Sequence, residues 1–381
     1  MLESLSRSSI LRPKLCDGTD AARGVLASIV FIGHVGQIFF GDFLGLDVAP
    51  DLAVLFFFAI SGFVIAGSLA RHTGPSDTVD LMEFAKRRFF RIMPPLLATF
   101  LLIMALKFAL SSSGVVSDQT RALNPNVPGV HGYHLNLFKV AVSLLTIGAV
   151  GDLGGGLDGP LWSLRYEIRC YLTAALVAWL STSRAATAQK ATVVLILCAY
   201  WFVALFIRNE GPLSQLPYLL SFAAGFFVFR YRSALAARGP IVTASALVLA
   251  SATSLVLFSA GHPQVVPSWL LLVKCVCACA FALTVFVLHG VEIKSRVLAA
   301  LGGVSYTLYI AHFPILLALY LFIKTTPGPM HGPLTAAAIL ATAVACFVLG
   351  RGVERSSAQL AWTERHILRI RTSRAVRAPQ G

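Results

Sequence analysis

Apolar stretches long enough to cross about 30 Å of hydrocarbon recur along nearly the whole chain, separated by short polar or basic breaks. Their limits predict ten membrane-spanning helices at 21–40, 50–70, 92–112, 161–181, 190–208, 215–231, 240–260, 268–290, 298–322 and 334–351. The stretch 137–150 is too short to cross and runs into the glycine-rich Gly151-Asp152-Leu153-Gly154-Gly155-Gly156, so it is read as re-entrant or interfacial. An all-α polytopic helix bundle follows. One integral membrane domain covers 21–351, between a cytoplasmic N-terminal segment, 1–20, and a basic cytoplasmic tail, 352–381. The first span ends in Gly33-His34-Val35-Gly36-Gln37 without a small-residue cleavage site, which predicts an uncleaved first helix with a cytoplasmic N-terminus.

Composition agrees: of 381 residues, 57% are hydrophobic and only 13% charged, far from the balance of soluble domains. Charge then orients the helices. With both termini in the cytoplasm, the inner segments hold Arg71, Lys86, Arg87, Arg88 and Arg91, then Arg184 and Lys190, then Arg230, Arg232 and Arg238, then Lys294 and Arg296, then the tail. The outer loops hold little beyond Arg121, Lys139, Arg208 and Lys324. A full crossing by 137–150 would put Arg230, Arg232 and Arg238 outside, against the positive-inside rule. The net charge of +14 is thereby assigned to topology and anionic lipid, which excludes nucleic acid as the favoured partner. The seven cysteines lie nearly all within apolar spans and read as packing residues, not as a disulfide framework.

A few ionisable residues break the apolar pattern. Arg23 and His34 share the first span, where desolvating such a side chain costs roughly 3 kcal/mol or more. Eleven residues of helix turn about 1100°, close to three full turns, so both side chains fall on one face, ~16 Å apart along the axis. Asp51 opens the second span, and Ser61-Gly62 puts a small polar pair in its inner half, either for tight helix packing or to admit a ligand. Lys86-Arg87-Arg88-Phe89-Phe90-Arg91-Ile92-Met93-Pro94-Pro95 forms a basic, aromatic mouth at a proline-marked start of the third span. It can act as an orientation signal or bind phosphates. Trp162, Arg165, Glu167 and Arg169 lie at the outer start of the fourth span, and His312 sits mid-span between Tyr309 and Pro314. Metal binding is disfavoured, because His34 and His312 lie on different spans and no paired ligands at helical spacing complete a site.

Taken in order, these segments resemble the acyltransferase-3 family of integral membrane acyltransferases over nearly the whole chain. The resemblance rests on Asp20-Ala21-Ala22-Arg23 with His34, on Phe57-Phe58-Ala59-Ile60-Ser61-Gly62-Phe63, and on Arg88-Phe89-Phe90-Arg91-Ile92-Met93-Pro94. It extends through Leu161-Trp162-Ser163-Leu164 with Glu167 and Tyr171, and Ser305-Tyr306-Thr307-Leu308-Tyr309 with His312-Phe313-Pro314. The chain departs from the common pattern at Ile168, where the family often doubles the glutamate.

The resemblance implies a multi-pass protein, expected in a bacterial inner membrane. Its expected activity moves an acyl group, acetyl above all, from cytoplasmic acyl-CoA to a hydroxyl of a carbohydrate or lipid-linked glycan. Acyl-CoA is a co-substrate, with no permanently bound cofactor and no metal. Arg23 and His34 correspond to the family's functional pair. General-base chemistry by neutral His34 fits, contributing typically ~10²–10⁴-fold. Arg23 is expected at the donor, and Arg88 and Arg91 on its phosphates, with Ser61-Gly62 leaving space for the pantetheine arm. Asp51 and Glu167, with Trp162 and His312 in support, are expected on the acceptor side. Direct transfer and an acyl-histidine intermediate both remain open. A transporter or flippase is the rival class, since it too keeps ionisable residues inside spans, and a non-catalytic scaffold is a third.

Overall fold

The fold was taken from a computed structural model that describes residues 15–41, 48–71, 79–113, 159–183, 185–202, 212–261, 267–325 and 331–354. The stretches 137–150 and 151–156 and the tail beyond Glu354 lie outside the described residues.

Twelve helices are present among the described residues: α1 (Gly18–Phe40), α2 (Val48–Arg71), α3 (Leu81–Ser112), α4 (Leu161–Thr182), α5 (Thr187–Phe202), α6 (Pro212–Arg230), α7 (Arg232–Ala236), α8 (Gly239–Ala260), α9 (Ser268–Leu288), α10 (Arg296–Gly302), α11 (Ser305–Thr325) and α12 (His331–Val353). Apart from the short α7 and α10, each matches one of the ten expected spans. Seven of them are long and apolar enough to cross a membrane: α1, α2, α3, α8, α9, α11 and α12. The protein is an all-α polytopic bundle.

Two expected boundaries are corrected. The third helix starts at Leu81, not at 92, because Asp80 accepts the Glu83 backbone N–H at 2.9 Å and caps it there. Its first three turns are polar, so hydropathy alone misses them. Pro94 and Pro95 are therefore interior, and their missing N–H groups release the Phe90 and Arg91 carbonyls from the helical ladder. The expected span 298–322 is also broken. Gly303 and Val304 separate α10 from α11, and Ser305 Oγ donates to the Gly302 carbonyl at 2.9 Å across the break. Glu354, just past α12, accepts the Thr307 backbone N–H at 2.6 Å and so serves one of the orphan donors at the start of α11.

α2 and α11 form the middle of the bundle, with 72% of each one's apolar window buried against 17% for α12. α2 packs on α6 and α1, α11 on α1 and α12, and α9 on α8 and α6. The outer faces carry exposed Ile32, Leu101, Phe108, Leu195, Leu272 and Leu340, as expected where lipid replaces water. At one end, β1 (Leu15–Asp17) pairs antiparallel with β2 (Glu292–Lys294), Cys16 opposite Ile293. Asp17 then ties the start of α1 to the end of α9. It caps Thr19, accepts the Gly290 N–H at 3.3 Å and lies 3.7 Å from His289.

Candidate functional site

Close helix approach sets the site. Gly24 of α1 lies against α10, where a side chain would come within 2.7 Å of the Gly302 nitrogen, and Gly302 in turn abuts the Asp20 carbonyl. This contact seats Arg23 beside the start of α11. Arg23 is 3.6 Å from Asp20 and its side chain is 16% exposed, so its guanidinium is largely withdrawn from the surface.

Five helices meet around a cavity of about 60 Å³. α1 supplies Arg23, α2 supplies Ser61, α3 supplies Arg88 and Arg91, α4 supplies Ser163, Glu167 and Tyr171, and α11 supplies Ser305, Tyr306 and Tyr309. At roughly 10–15 Å³ of such space per water, this holds several waters or a small acyl group. Glu167 is the polar centre. It accepts from Ser61 Oγ at 2.6 Å and from the Tyr171 hydroxyl. Arg88 stacks over Phe84 and Tyr171 at 5.7 and 5.9 Å, and among the described residues its Nε is buried without a partner, as is the Tyr306 hydroxyl. Those orphaned donors line a space that a bound acceptor atom would satisfy. Lys86 and Arg87 instead pair with Glu83 at 3.8 and 2.6 Å, near the polar start of α3.

Two assignments change. Glu167 lies with Arg23, Arg88 and Arg91 in one cavity and not with Asp51 on a separate acceptor side, because Glu167 sits one and a half turns inside α4, where Ser61 meets it. Gly62 does not open space for a pantetheine arm. A side chain on it would overlap the Phe222 carbonyl, and one on Gly225 would overlap the Ala59 carbonyl, so the two glycines bring α2 and α6 into backbone contact.

His34 stands on α1 beyond the cavity lining. Its Nδ1 is 2.9 Å from Nε2 of His312, which is fully buried, and Phe313 packs edge-on against its ring at 5.1 Å. Tyr309, one turn before His312, connects the two places. Its hydroxyl meets Ser163 Oγ at 2.7 Å and its ring contacts Phe57 at 5.6 Å. Gly159, just before α4, lets the chain pass over Phe313, for a Cβ there would come within 2.8 Å of that ring.

Asp51 belongs to a third cluster. It pairs with Lys274 of α9 at 2.6 Å and accepts from the Tyr218 hydroxyl, while Lys274 also donates to Tyr218 at 3.1 Å. Trp162, 37% exposed, packs edge-on against Tyr218 and Tyr166. Sequence reasoning passed over Lys274, though one lysine in an otherwise apolar span is itself a sign of a buried partner. It also passed over Glu354, which reads as part of the basic tail.

A bundle of membrane-crossing helices that gathers arginines, a glutamate and tyrosines in its interior defines a multi-pass integral membrane protein built to act on a polar group. The class can be stated more narrowly. The chain belongs to the acyltransferase-3 family, whose model, described as an acyltransferase domain, matches residues 17–351. Acyltransferase MdmB of Streptomyces mycarofaciens is 28% identical over 77% of this chain and 77% of its own length. O-acetyltransferase OatA of Staphylococcus aureus is 34% identical over 26% of this chain, which is 15% of that protein. No solved structure matches the chain. The protein is an acyltransferase of the membrane.

Proposed function

We propose that the protein is an O-acyltransferase of a bacterial inner membrane that moves an acyl group, acetyl above all, from cytoplasmic acyl-CoA to a hydroxyl of a carbohydrate or lipid-linked glycan. The observation that carries this reading is the convergence of Arg23, Arg88 and Arg91 with Ser61, Glu167 and Tyr171 on one small cavity. Three guanidiniums suit an anionic donor, since each offers a planar fork of donors to phosphate or to a polarised thioester oxygen. Glu167, held by Ser61 and Tyr171, can orient a hydroxyl or the pantetheine amide.

His34 serves as general base. The acceptor hydroxyl oxygen attacks the thioester carbon while its proton passes to His34, the carbon–sulfur bond breaks, and the CoA thiolate leaves and is protonated. Arg23, Arg88 and Arg91, set apart from His34, hold the anionic donor meanwhile. Kinship to a protein named as an O-acetyltransferase supports acetyl and oxygen as the group and the atom.

The test is donor binding. Purified protein should bind acetyl-CoA saturably and less tightly as salt rises, because contacts to exposed phosphates are screened. Replacing Arg88 and Arg91 together by Gln should raise the KM for acetyl-CoA about tenfold or more with a smaller effect on saturating turnover, the signature of lost ground-state binding. A wild-type protein without acetyl-CoA affinity, paired with a double variant that still loses function in cells, would reject the reading in favour of a transporter.

A further inference from the structure

The His34–His312 contact holds one proton between two rings, and the next contact along decides which ring owns it. Nδ1 of His34 and Nε2 of His312 are 2.9 Å apart. The other nitrogen of His312, Nδ1, lies 2.6 Å from the Leu308 carbonyl oxygen. A carbonyl can only accept, so Nδ1 of His312 carries a hydrogen. His312 is fully buried, between Phe31 at 5.9 Å and the ring of His34 at 5.1 Å, with no carboxylate in contact among the described residues, and a charge there would be uncompensated. The ring is therefore neutral and has no second hydrogen to give. Its Nε2 must accept, and the hydrogen between the rings belongs to Nδ1 of His34. A neutral His34 has only that one hydrogen, which leaves its Nε2 with a bare lone pair.

We propose that His312 is a positioning residue that fixes His34 in the tautomer with hydrogen on Nδ1, so that Nε2 is the atom that takes the acceptor's proton. The proposal rests on His34 being the base of the reaction given above. The arrangement follows the logic of a catalytic triad, in which a third group orients the imidazole, with a neutral imidazole here in the place usually taken by a carboxylate. The sequence of contacts is Leu308 carbonyl, His312 and His34, and it is anchored in the backbone of α11. On proton transfer the acceptor's O–H bond breaks and an N–H bond forms at Nε2 of His34. The resulting imidazolium keeps its Nδ1 hydrogen bonded to His312, and the proton then leaves to the CoA thiolate or to water. Without the accepting nitrogen of His312, the His34 ring can turn or place its one hydrogen on Nε2, where it blocks the reaction.

Nitrogen NMR of the full-length protein labelled with ¹⁵N-histidine reads the proton directly, with the His34 signals assigned by their absence in His34→Gln. The expected spectrum shows a protonated Nδ1 and an unprotonated Nε2 for His34, and a protonated Nε2 overturns the proposal. In native membrane vesicles, which supply the acceptor, CoA release from acetyl-CoA should fall at least about tenfold in kcat for His312→Phe, within the ~10²–10⁴-fold that a general base contributes. The KM for acetyl-CoA should not move, since the arginine cavity is untouched. His312→Gln, whose amide oxygen can accept from His34 while its nitrogen donates, should recover most of the lost turnover. Wild-type kcat in His312→Phe, or no recovery with Gln in a protein that folds as His312→Phe does, refutes the positioning role. If His34→Ala itself retains transfer, the base assignment fails, while the spectrum still reports separately where the proton lies.

Discussion

At the scale of single residues, Arg23 and His34 occupy one helix but two different surroundings, and their variants should fail differently. His34→Ala should remain inserted and folded while transfer falls ~10²–10⁴-fold, as when a general base is removed. Arg23→Lys keeps the charge yet loses the planar fork, and acyl-CoA turnover should drop about tenfold or more. Gly62 gives a contrasting result. Gly62→Ala forces a methyl into the Phe222 carbonyl of α6 and should cost about 1–3 kcal/mol in thermal unfolding measured in detergent. Ser61→Ala, next to it, leaves Glu167 with only its Tyr171 partner and should impair turnover at a cost of about 1 kcal/mol in stability. Both histidines stood out in the sequence because polar atoms in apolar spans are conspicuous. Their mutual contact was not legible, since 278 residues separate them and nothing local encodes which helices become neighbours.

At the scale of elements, the Asp51–Lys274 pair fastens the start of α2 to α9, with Tyr218 of α6 bonded to both. Each side chain of the pair is 19% exposed, so removing one partner should cost ~1–3 kcal/mol, less than the 3–5 of a fully buried pair. Lys274→Met and Asp51→Asn should each lower the unfolding temperature, and the double variant should recover part of the loss in a double-mutant cycle. Strict additivity would show that the pair does not act as a unit. Hydropathy placed the ten long helices because lipid imposes a minimum length of apolar residues. It misplaced the start of α3, whose Asp80 and Glu83 follow capping rules instead, and it merged α10 with α11 because Gly302-Gly303 is as apolar as its surroundings.

At the scale of the whole molecule, topology is open to labelling from outside. In a background free of native cysteines, single cysteines at Ala186 and Ala237 should be shielded from an impermeant thiol reagent in intact cells, and cysteines at Gly261 and Pro267 should react. Reaction at Ala237 would invert the orientation assigned to α6–α8. The short β1–β2 ribbon was invisible in the sequence, for three residues at each of two distant places carry no periodic signal, yet it bears on how the enzyme comes into being. α1 is made first, but the strand, glycine contact and histidine it needs lie beyond residue 290. At about 5–20 residues per second, the 278 residues from His34 to His312 keep α1 waiting roughly a quarter of a minute to a minute in the membrane. During that interval His34 sits in the first helix without its partner His312. Activity thus arrives in one late step of biogenesis, and a ribosome that stops before α11 leaves an inserted but inert bundle.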